Sequence, residues 1–233
     1  MQSIDDDGRH AAIVPWNKGK VLGPKPPLQT KYVWSIRSKL HAEGRKRDLA
    51  MFNLAIGSKL RGCDLVRLKV DDVAPHGLAI ERASVRQRKT GHPVKFELTD
   101  QTREAVDAYV KVARRRPGDF LFPSRRGPDR PMTTRQYARL VSDWIGSIGS
   151  DPSVFGTHSL RRTKATLIYR RTGNLRAVQL LGHTKIESTV RYLGIELDDA
   201  LAIAEQVEVR AERTCSAQTL NAELCHFPTS AAR

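Results

Sequence analysis

Two short runs of alternating apolar and polar residues, joined by four residues that include a glycine, constrain the fold of this chain most strongly. The runs are residues 83–88 and 93–98, and the link is Lys89-Thr90-Gly91-His92. Such a link between two alternating runs predicts a β-hairpin with Lys89 in its turn. Helical spacing of apolar residues dominates on both sides. The pattern therefore predicts a mainly α fold with a small antiparallel β-sheet, of the α+β class.

Helices are expected before and after this hairpin. Apolar residues recur at helical spacing in residues 30–40, 49–56 and 61–66, whereas residues 70–80 show strand-like alternation. After the hairpin, the pattern predicts a helix over 100–115, a basic loop at 124–130, a helix from a cap at Thr133 or Thr134 to 148, a helix from a cap at Thr157 or Ser159 to Thr172, and a helix from Asn174 to Leu181. Gly173 and Gly182 are expected to end the last two helices.

Composition divides the chain into three parts. Residues 1–30 contain Pro15, Pro24, Pro26 and Pro27, which prevent long helices, so a flexible basic arm is expected there. Residues 31–210 carry the helical and hairpin patterns of one folded domain. Residues 211–233 are polar and are expected to be disordered.

The net charge indicates the kind of partner. Lys and Arg number 40 against 25 Asp and Glu, which gives a formal charge of +15. This excess favours a polyanion, most often nucleic acid. No run of about 20 apolar residues predicts a membrane span, and the acidic start is unlike a signal peptide, so a soluble cytoplasmic protein is expected. The scattered cysteines, Cys63, Cys215 and Cys225, offer neither a disulfide framework nor a Cys-x-x-Cys metal site.

Positive charge is concentrated between Phe155 and Tyr192. This stretch holds one acid, Glu187, and eight basic residues: Arg161, Arg162, Lys164, Arg170, Arg171, Arg176, Lys185 and Arg191. Basic runs are often only solvated surfaces, but this one surrounds motifs suited to phosphate chemistry. His158 and Arg161 lie three residues apart at the start of a predicted helix, where unpaired backbone donors favour an anion.

Further motifs accompany this pair. LGHTK has His183 just beyond a predicted helix end, and VRYL has Tyr192 nine residues later. Upstream, Arg61 and Asp64 stand at i and i+3 in SKLRGCDL, where the carboxylate can hold the guanidinium in one orientation. Each motif alone has a structural explanation, so their order along the chain carries the inference.

In this order the motifs resemble the tyrosine recombinase, or phage integrase, family. That family has an arginine in a helix with an acid three residues on, a lysine in a β-hairpin, His-x-x-Arg, Leu-Gly-His and then tyrosine. The resemblance covers about residues 30–210 and implies a tyrosine recombinase catalytic domain. It implies a site-specific DNA recombinase or integrase. The implied site residues are Arg61, Lys89, His158, Arg161, His183 and Tyr192, with Asp64 as a supporting residue. Arg88 and Lys95 are alternatives to Lys89.

The resemblance also implies the chemistry. Tyr192 would attack a DNA phosphodiester, form a 3′-phosphotyrosyl bond and release a 5′-hydroxyl that later attacks another strand. His158 is the expected base and Lys89 the acid. The guanidiniums of Arg61 and Arg161 would stabilise the transition-state charge, and the histidine of Leu-Gly-His would hydrogen-bond the same group. No metal or other cofactor is expected.

Double-stranded DNA is the implied partner. The residues expected to contact its backbone are Arg162, Lys164, Arg176, Lys185 and Arg191. Strand exchange requires several active sites, so dimers or tetramers on DNA, associated with the nucleoid, are expected. The apolar stripe of Leu197, Leu201, Ala204 and Val207 is expected either to dock on a neighbouring protomer or to cap its own core.

Two departures from the family pattern bear on activity. Family members usually carry a helical DNA-clamping domain before the catalytic one, whereas here a Pro-rich arm precedes it. Either this arm acts as a reduced clamp through its basic residues, or target binding is weak; the basic residues are Lys18, Lys20, Lys25 and Lys31. The helix before His183 is one residue shorter than usual, and one residue turns a helix face by about 100°. Unless the helix is locally overwound, Val178 and Leu181 would lose their core positions or His183 would shift. The alternatives are a DNA-binding remnant that does not cut and a type IB topoisomerase, which would rejoin the same strand.

Overall fold

The computed structural model of this chain describes residues 25–180. Within this range, eight α-helices and two small antiparallel sheets follow one another in the order α1 (Thr30–Ala42), α2 (Lys46–Ser58), α3 (Gly62–Leu65), α4 (Val70–Val73), β1 (Arg82–Arg86), β2 (Pro93–Glu97), α5 (Asp100–Ala113), β3 (Pro123–Ser124), β4 (Gly127–Pro131), α6 (Thr134–Ser147), α7 (Thr157–Thr172) and α8 (Leu175–Leu180). The predicted fold class, mainly helical with a small antiparallel sheet, is confirmed.

Helix α2 forms the centre of the core because it is apolar on nearly every side. All residues from Ala50 to Ile56 are buried, and the helix packs against α1, α5 and α7. Phe52 meets the edge of the Trp144 ring at a centroid distance of 5.6 Å. Burial of large side chains contributes about 1.5–3 kcal/mol each. This packing fixes the end of α2, from which the residues of the candidate site project.

The predicted hairpin is present and attached to the core. Strands β1 and β2 pair in antiparallel register, with Ala83 opposite Phe96, and both of these side chains are buried. The turn closes where the Gln87 amide donates to the His92 carbonyl at 2.9 Å. Gly91 has a φ of 68°, a conformation that glycine adopts at little cost.

The structure corrects the prediction of strand-like structure at 70–80. Residues Val70–Val73 form a short helix instead. Asp72 stabilises its first turn by accepting from the Lys69 amide at 2.8 Å. Both terminal valines are buried, and their spacing of three places them on one face of a helical turn.

The predicted basic loop at 124–130 is likewise corrected, because β3 and β4 form a small hairpin there. Mostly exposed residues with two prolines gave β4 no apolar alternation to detect. The next helix, α6, begins as predicted. Its cap is Thr133, whose hydroxyl accepts from the Gln136 amide at 3.2 Å.

Helix α7 begins one residue earlier than its predicted caps allow. The N-cap is Gly156, not Thr157 or Ser159. The hydroxyl of Ser159 instead accepts from the Gly156 amide at 3.2 Å. A side chain at Gly156 would have its Cβ 3.3 Å from Cδ of Lys25, which explains why glycine suits this position. The helix ends as predicted at Gly173, with a φ of 63°.

The last part of the predicted flexible arm is fixed against α7. Leu28 is buried, and its amide donates to the Thr163 hydroxyl at 3.0 Å. The Lys25 ammonium donates to the Phe155 carbonyl at 2.8 Å. Residues 25–29 therefore belong to the folded domain, and the rest of the expected arm, with Lys18 and Lys20, lies outside the described residues.

Helix α8 bears on the shortened segment before His183. Val178 is buried against Ala165 of α7, so it occupies a core position as far as the helix is described. Leu181 and His183 lie outside the described residues, as do the predicted apolar stripe at 197–207 and the polar tail. None of the described helices has the length and apolar character needed to cross a membrane.

Candidate active site

The candidate site is built around the corner at residues 59–61 that follows α2. Lys59 ends the helix in the left-handed conformation, with a φ of 55°, and Arg61 is extended at the start of α3. Gly62 permits a close approach here, since an added Cβ would lie 3.3 Å from the ring of Tyr137. The corner therefore turns the chain sharply and brings Arg61 out of the core beside the hairpin.

Arg61 is held by a residue of the hairpin. Its Nη1 donates to Oε1 of Gln87, which follows β1 and is buried. The same oxygen accepts from the hydroxyl of Thr90 at 2.9 Å. One amide oxygen therefore connects the guanidinium of Arg61 to the turn that carries Lys89.

The predicted contact between Asp64 and the guanidinium of Arg61 is wrong. Oδ1 of Asp64 accepts from the backbone amide of Arg88 at 3.0 Å, and Oδ2 is buried without a hydrogen-bond partner among the described residues. Asp64 therefore supports the site by fixing the start of the hairpin turn. The i, i+3 spacing did not produce an ion pair because α3 has a single turn and the extended Arg61 precedes it.

Helix α7 contributes two cations to the same corner. Nε of Arg161 donates to the carbonyl of Lys59 at 2.7 Å, and Nζ of Lys164 donates to the carbonyl of Gly57 at 3.2 Å. These carbonyls belong to the end of α2, where unpaired acceptors and the helix dipole favour positive charge. Arg161 is thereby anchored to the backbone two residues before Arg61.

His158 lies in the first turn of α7, three residues before Arg161. Desolvation lowers the pKa of its imidazole below the ordinary value of 6.5, and the charges of Arg161 and Arg162 lower it further. The neutral form that can accept a proton is therefore favoured near pH 7. A proton acceptor thus stands beside a guanidinium at the start of a helix.

The corner also contains a lysine with an unusual titration. Burial lowers the pKa of Lys59 to about 7, and the nearby charges of Lys164 and Arg161 act in the same direction. Burial lowers the pKa of Lys164 as well. A cavity of about 560 Å³ opens beside both lysines and the strands of the hairpin.

The residues predicted to contact DNA differ in exposure. Arg162 is buried, and its Nη1 donates to the carbonyl of Lys25 at 2.7 Å, a placement that argues against a DNA contact. Lys164 is half-buried, whereas Arg176 is exposed on α8. Lys185 and Arg191 lie outside the described residues.

Lys89 lies exposed in the hairpin turn, beside the Gln87 that contacts Arg61. Of its alternatives, Arg88 has a guanidinium that cannot give up a proton, and Lys95 lies away from the turn, opposite Ser84 in the strands. His183 and Tyr192 are outside the described residues, so their roles stay predictions. Over residues 25–180, no group of three or more His, Cys, Asp or Glu side chains is arranged to hold a metal ion.

Sequence reasoning missed Gln87 and Lys59. A glutamine in a hairpin has no distinctive spacing, and only the fold reveals that its amide oxygen is buried against Arg61. The backbone of Lys59 gave a weak signal, because SKLR follows an apolar helix at the point where a left-handed residue is commonly needed. Glycine is the usual residue at such a turn, so a lysine there did not indicate it.

Comparison with known proteins agrees with this arrangement. The model of the phage integrase family matches residues 30–196. A probable integrase/recombinase, YoeC of Bacillus subtilis, is 29% identical over 160 residues, which cover 67% of this chain and 82% of the relative. Tyrosine recombinase XerC of Rhodospirillum centenum is 31% identical over 172 residues, covering 72% of this chain and 48% of that relative. The chain thus spans about half the length of the XerC relatives it matches.

Solved structures share the fold. The crystal structure of XerA recombinase matches with a TM-score of 0.63 and 22% identity, covering 83% of this chain and 67% of that one. XerH site-specific recombinase, determined in a post-cleavage complex with a palindromic difH substrate, matches with a TM-score of 0.62 and 17% identity, covering 78% of this chain and 53% of that one. The arrangement of helices and hairpin described above is therefore that of these recombinases.

Proposed function

Because the chain belongs to the phage integrase family, we propose that it is a site-specific DNA recombinase that cuts and rejoins DNA through a covalent bond to Tyr192. The observation that carries this proposal is the joint anchoring of two guanidiniums. Arg161 is held by the carbonyl of Lys59. Arg61, which lies two residues after Lys59, is held by Gln87. Two forked cations fixed at one corner suit the non-bridging oxygens of a single phosphate.

The nucleophile requires a base. A free tyrosine has a pKa of about 10 and attacks poorly at neutral pH. In the proposed reaction His158 accepts the phenolic proton while the Tyr192 oxygen bonds to phosphorus. The lowered pKa of His158 supports this role, since the imidazole must be neutral before it can accept the proton.

The departing strand requires an acid. As the bond to the 5′-oxygen breaks, Lys89 donates a proton, and a 5′-hydroxyl leaves. In the second step the 5′-hydroxyl of another strand attacks the phosphotyrosine and releases Tyr192, so the number of phosphodiester bonds is conserved. Arg61 and Arg161 stabilise the negative charge of both transition states, and His183 contributes a further hydrogen bond.

Duplex DNA is the proposed substrate, and several protomers are proposed to assemble on it. The similarity in fold to XerH, whose structure contains its difH substrate, supports the first point. The exposed Arg176, together with Lys185 and Arg191, would follow the phosphate backbone. Lys164, whose ammonium donates to the Gly57 carbonyl, is not included. Assembly through the stripe that includes Leu197 and Leu201 is tested by measuring the mass of the Tyr192→Phe protein free and on its site.

Cleavage is tested on nicked suicide duplexes. The Tyr192→Phe protein, which binds without cutting, first selects bound fragments from genomic DNA of the source organism. Nicked versions of these sites are then incubated with the natural protein and with Tyr192→Phe, and denaturing gels detect a covalent protein–DNA adduct. The proposal expects an adduct with the natural protein alone, followed by recombinant products when two sites are supplied.

Other results would favour the alternatives. A bound site that never yields an adduct would contradict the enzyme and support a DNA-binding remnant. Plasmid relaxation without recombinant products would support a type IB topoisomerase. Insertion of one leucine between Leu180 and Leu181 tests the shortened helix: a higher rate of cleavage would mean that the missing residue is damaging, and an equal or lower rate that the native register is functional.

A further inference from the structure

Gln87 is a buried residue that lies between two parts of the site, Arg61 and the hairpin turn that carries Lys89. It is 6% exposed and directly follows β1. Its backbone amide donates to the His92 carbonyl and its carbonyl accepts from the Gly91 amide, both at 2.9 Å. The backbone of the residue is therefore fixed on both sides of the turn.

The side chain of Gln87 is fixed as well. Oε1 accepts from Nη1 of Arg61 and from the hydroxyl of Thr90, the second at 2.9 Å. A carbonyl oxygen has two lone pairs, and both are used here. The turn residue Thr90 is the neighbour of Lys89, so the same oxygen links the turn that carries Lys89 to the guanidinium of Arg61.

Gln87 holds Arg61 without carrying a charge of its own. A carboxylate at this position would hold Arg61 more tightly, but it would neutralise the cation and compete with a phosphate. The buried Asp64 accepts from the Arg88 amide through one oxygen, and among residues 25–180 no ion pair joins Arg61 to a carboxylate. Glutamine orients the guanidinium and leaves its charge available.

We propose that Gln87 is a positioning residue for strand cleavage, which holds the guanidinium of Arg61 and the turn of Lys89 in one fixed relation. The inference rests on the proposed recombinase function. Gln87 itself touches no reacting atom in this scheme and acts through Arg61. Displacement of a catalytic group by about 1 Å slows reactions by about 100-fold, so the contribution is measurable.

Single-turnover cleavage of a nicked duplex at saturating protein provides the test. Gln87→Met keeps the length of the side chain and removes the acceptor, and it is expected to slow adduct formation by about 10- to 100-fold. Gln87→Glu is expected to slow cleavage and also to weaken DNA binding. Gln101→Met makes the same chemical change at an exposed position of α5 and is expected to leave the rate unchanged. Thermal unfolding identifies any variant that fails to fold.

A double-mutant cycle distinguishes positioning from a general structural role. In an Arg61→Ala background, Gln87→Met is expected to slow cleavage by no more than about twofold, because the group it positions is gone. An equal loss in both backgrounds would overturn the inference. If the natural protein forms no adduct, the proposed function fails. Whether Gln87 positions Arg61 is then decided by nuclear magnetic resonance of the Arg61 guanidinium. Faster rotation of the guanidinium in Gln87→Met supports the inference, and an unchanged rotation rate overturns it.

Discussion

The side chain of Arg161 and the backbone of Lys59 are joined by a hydrogen bond of 2.7 Å, although 102 residues separate them in the chain. The bond connects the first turns of α7 to the end of α2, the most buried helix of the core. Because the donor is Nε, the bond sets the plane of the guanidinium. The packed core thereby holds the guanidinium of Arg161, which would contact phosphate, in one orientation.

Arg161→Lys tests this relationship. Lysine retains the charge, but a single ammonium cannot donate to the Lys59 carbonyl and also present a planar fork. Adduct formation is expected to slow by about 10²–10³-fold, and the free energy of unfolding to fall by about 1 kcal/mol. Both are measured against Arg171→Lys, the same exchange at an exposed position near the end of α7. Equal rates for the two variants would contradict a specific role for Arg161.

Asp64 provides a test of the hairpin support. Removing its carboxylate leaves the Arg88 amide without its acceptor, so Asp64→Ala is expected to reduce the free energy of unfolding by about 1–3 kcal/mol. Asp64→Asn keeps a side-chain oxygen and is expected to lose less. Denaturant titration measures the stability, and hydrogen exchange reports on the Arg88 amide. Asp100→Ala, at an exposed site, serves as the control; faster exchange in it would point to a general loosening.

Much of the fold was predictable because it depends on local pattern. The hairpin at 83–98, the cap at Thr133 and the left-handed Gly173 follow from alternation, a hydroxyl at a helix start and a glycine at a helix end. The short helix at Val70–Val73 was not predictable, since four residues cannot display a helical period. The small hairpin of β4 escaped detection because its exposed residues have no apolar face.

The candidate site was predictable in its residue types but not in its contacts. The order of motifs indicated Arg61, His158 and Arg161, yet the spacing of Arg61 and Asp64 suggested a pairing that the backbone does not allow. The actual partner of Arg61, Gln87, lies 26 residues further along the chain. Contacts of this kind depend on how the hairpin packs against α3, which a local pattern does not contain.

The proton donor can be tested with a modified substrate. Lys89→Ala is expected to slow cleavage of ordinary DNA by about 10²–10⁴-fold, since the departing 5′-oxygen is left unprotonated. When sulfur replaces this oxygen, the leaving thiolate needs no proton, because a thiol has a pKa of about 8.5. The rate with the sulfur substrate is therefore expected to return to near that of the natural protein. Lys95→Ala, an exposed change in β2, is expected to affect neither substrate.

The proposed base predicts a particular pH dependence. Desolvation and the charges of Arg161 and Arg162 lower the pKa of His158, so its neutral form predominates above a pH that lies below 6.5. The rate of adduct formation is expected to rise with pH in the acid range, with its half-maximal value below pH 6.5. His158→Gln is expected to remove this limb and to lower the rate by about 10²–10⁴-fold. His183→Gln should retain the limb; its disappearance there would assign the base to His183.

Lys59 predicts how stability depends on pH. Its pKa is about 7 in the folded protein against an ordinary 10.5, chiefly because of burial. Below about pH 7 the ammonium is charged in both states, and the full cost of burying it opposes folding. Between about pH 7 and 10.5 only the unfolded state keeps the proton, so the contribution of this group to the free energy of unfolding rises with pH.

Replacement of Lys59 by methionine removes this titration and retains an apolar stem of similar size. At pH 6, Lys59→Met is expected to raise the free energy of unfolding by about 1–3 kcal/mol, a range that allows for partial exposure of the side chain. The gain should shrink as the pH approaches 10. Arg114→Met is the matched control, because Arg114 is also left-handed, with a φ of 50°, but exposed. Denaturant titrations from pH 6 to 10 that give parallel curves for the natural protein and Lys59→Met would mean that the lysine is not desolvated by the fold.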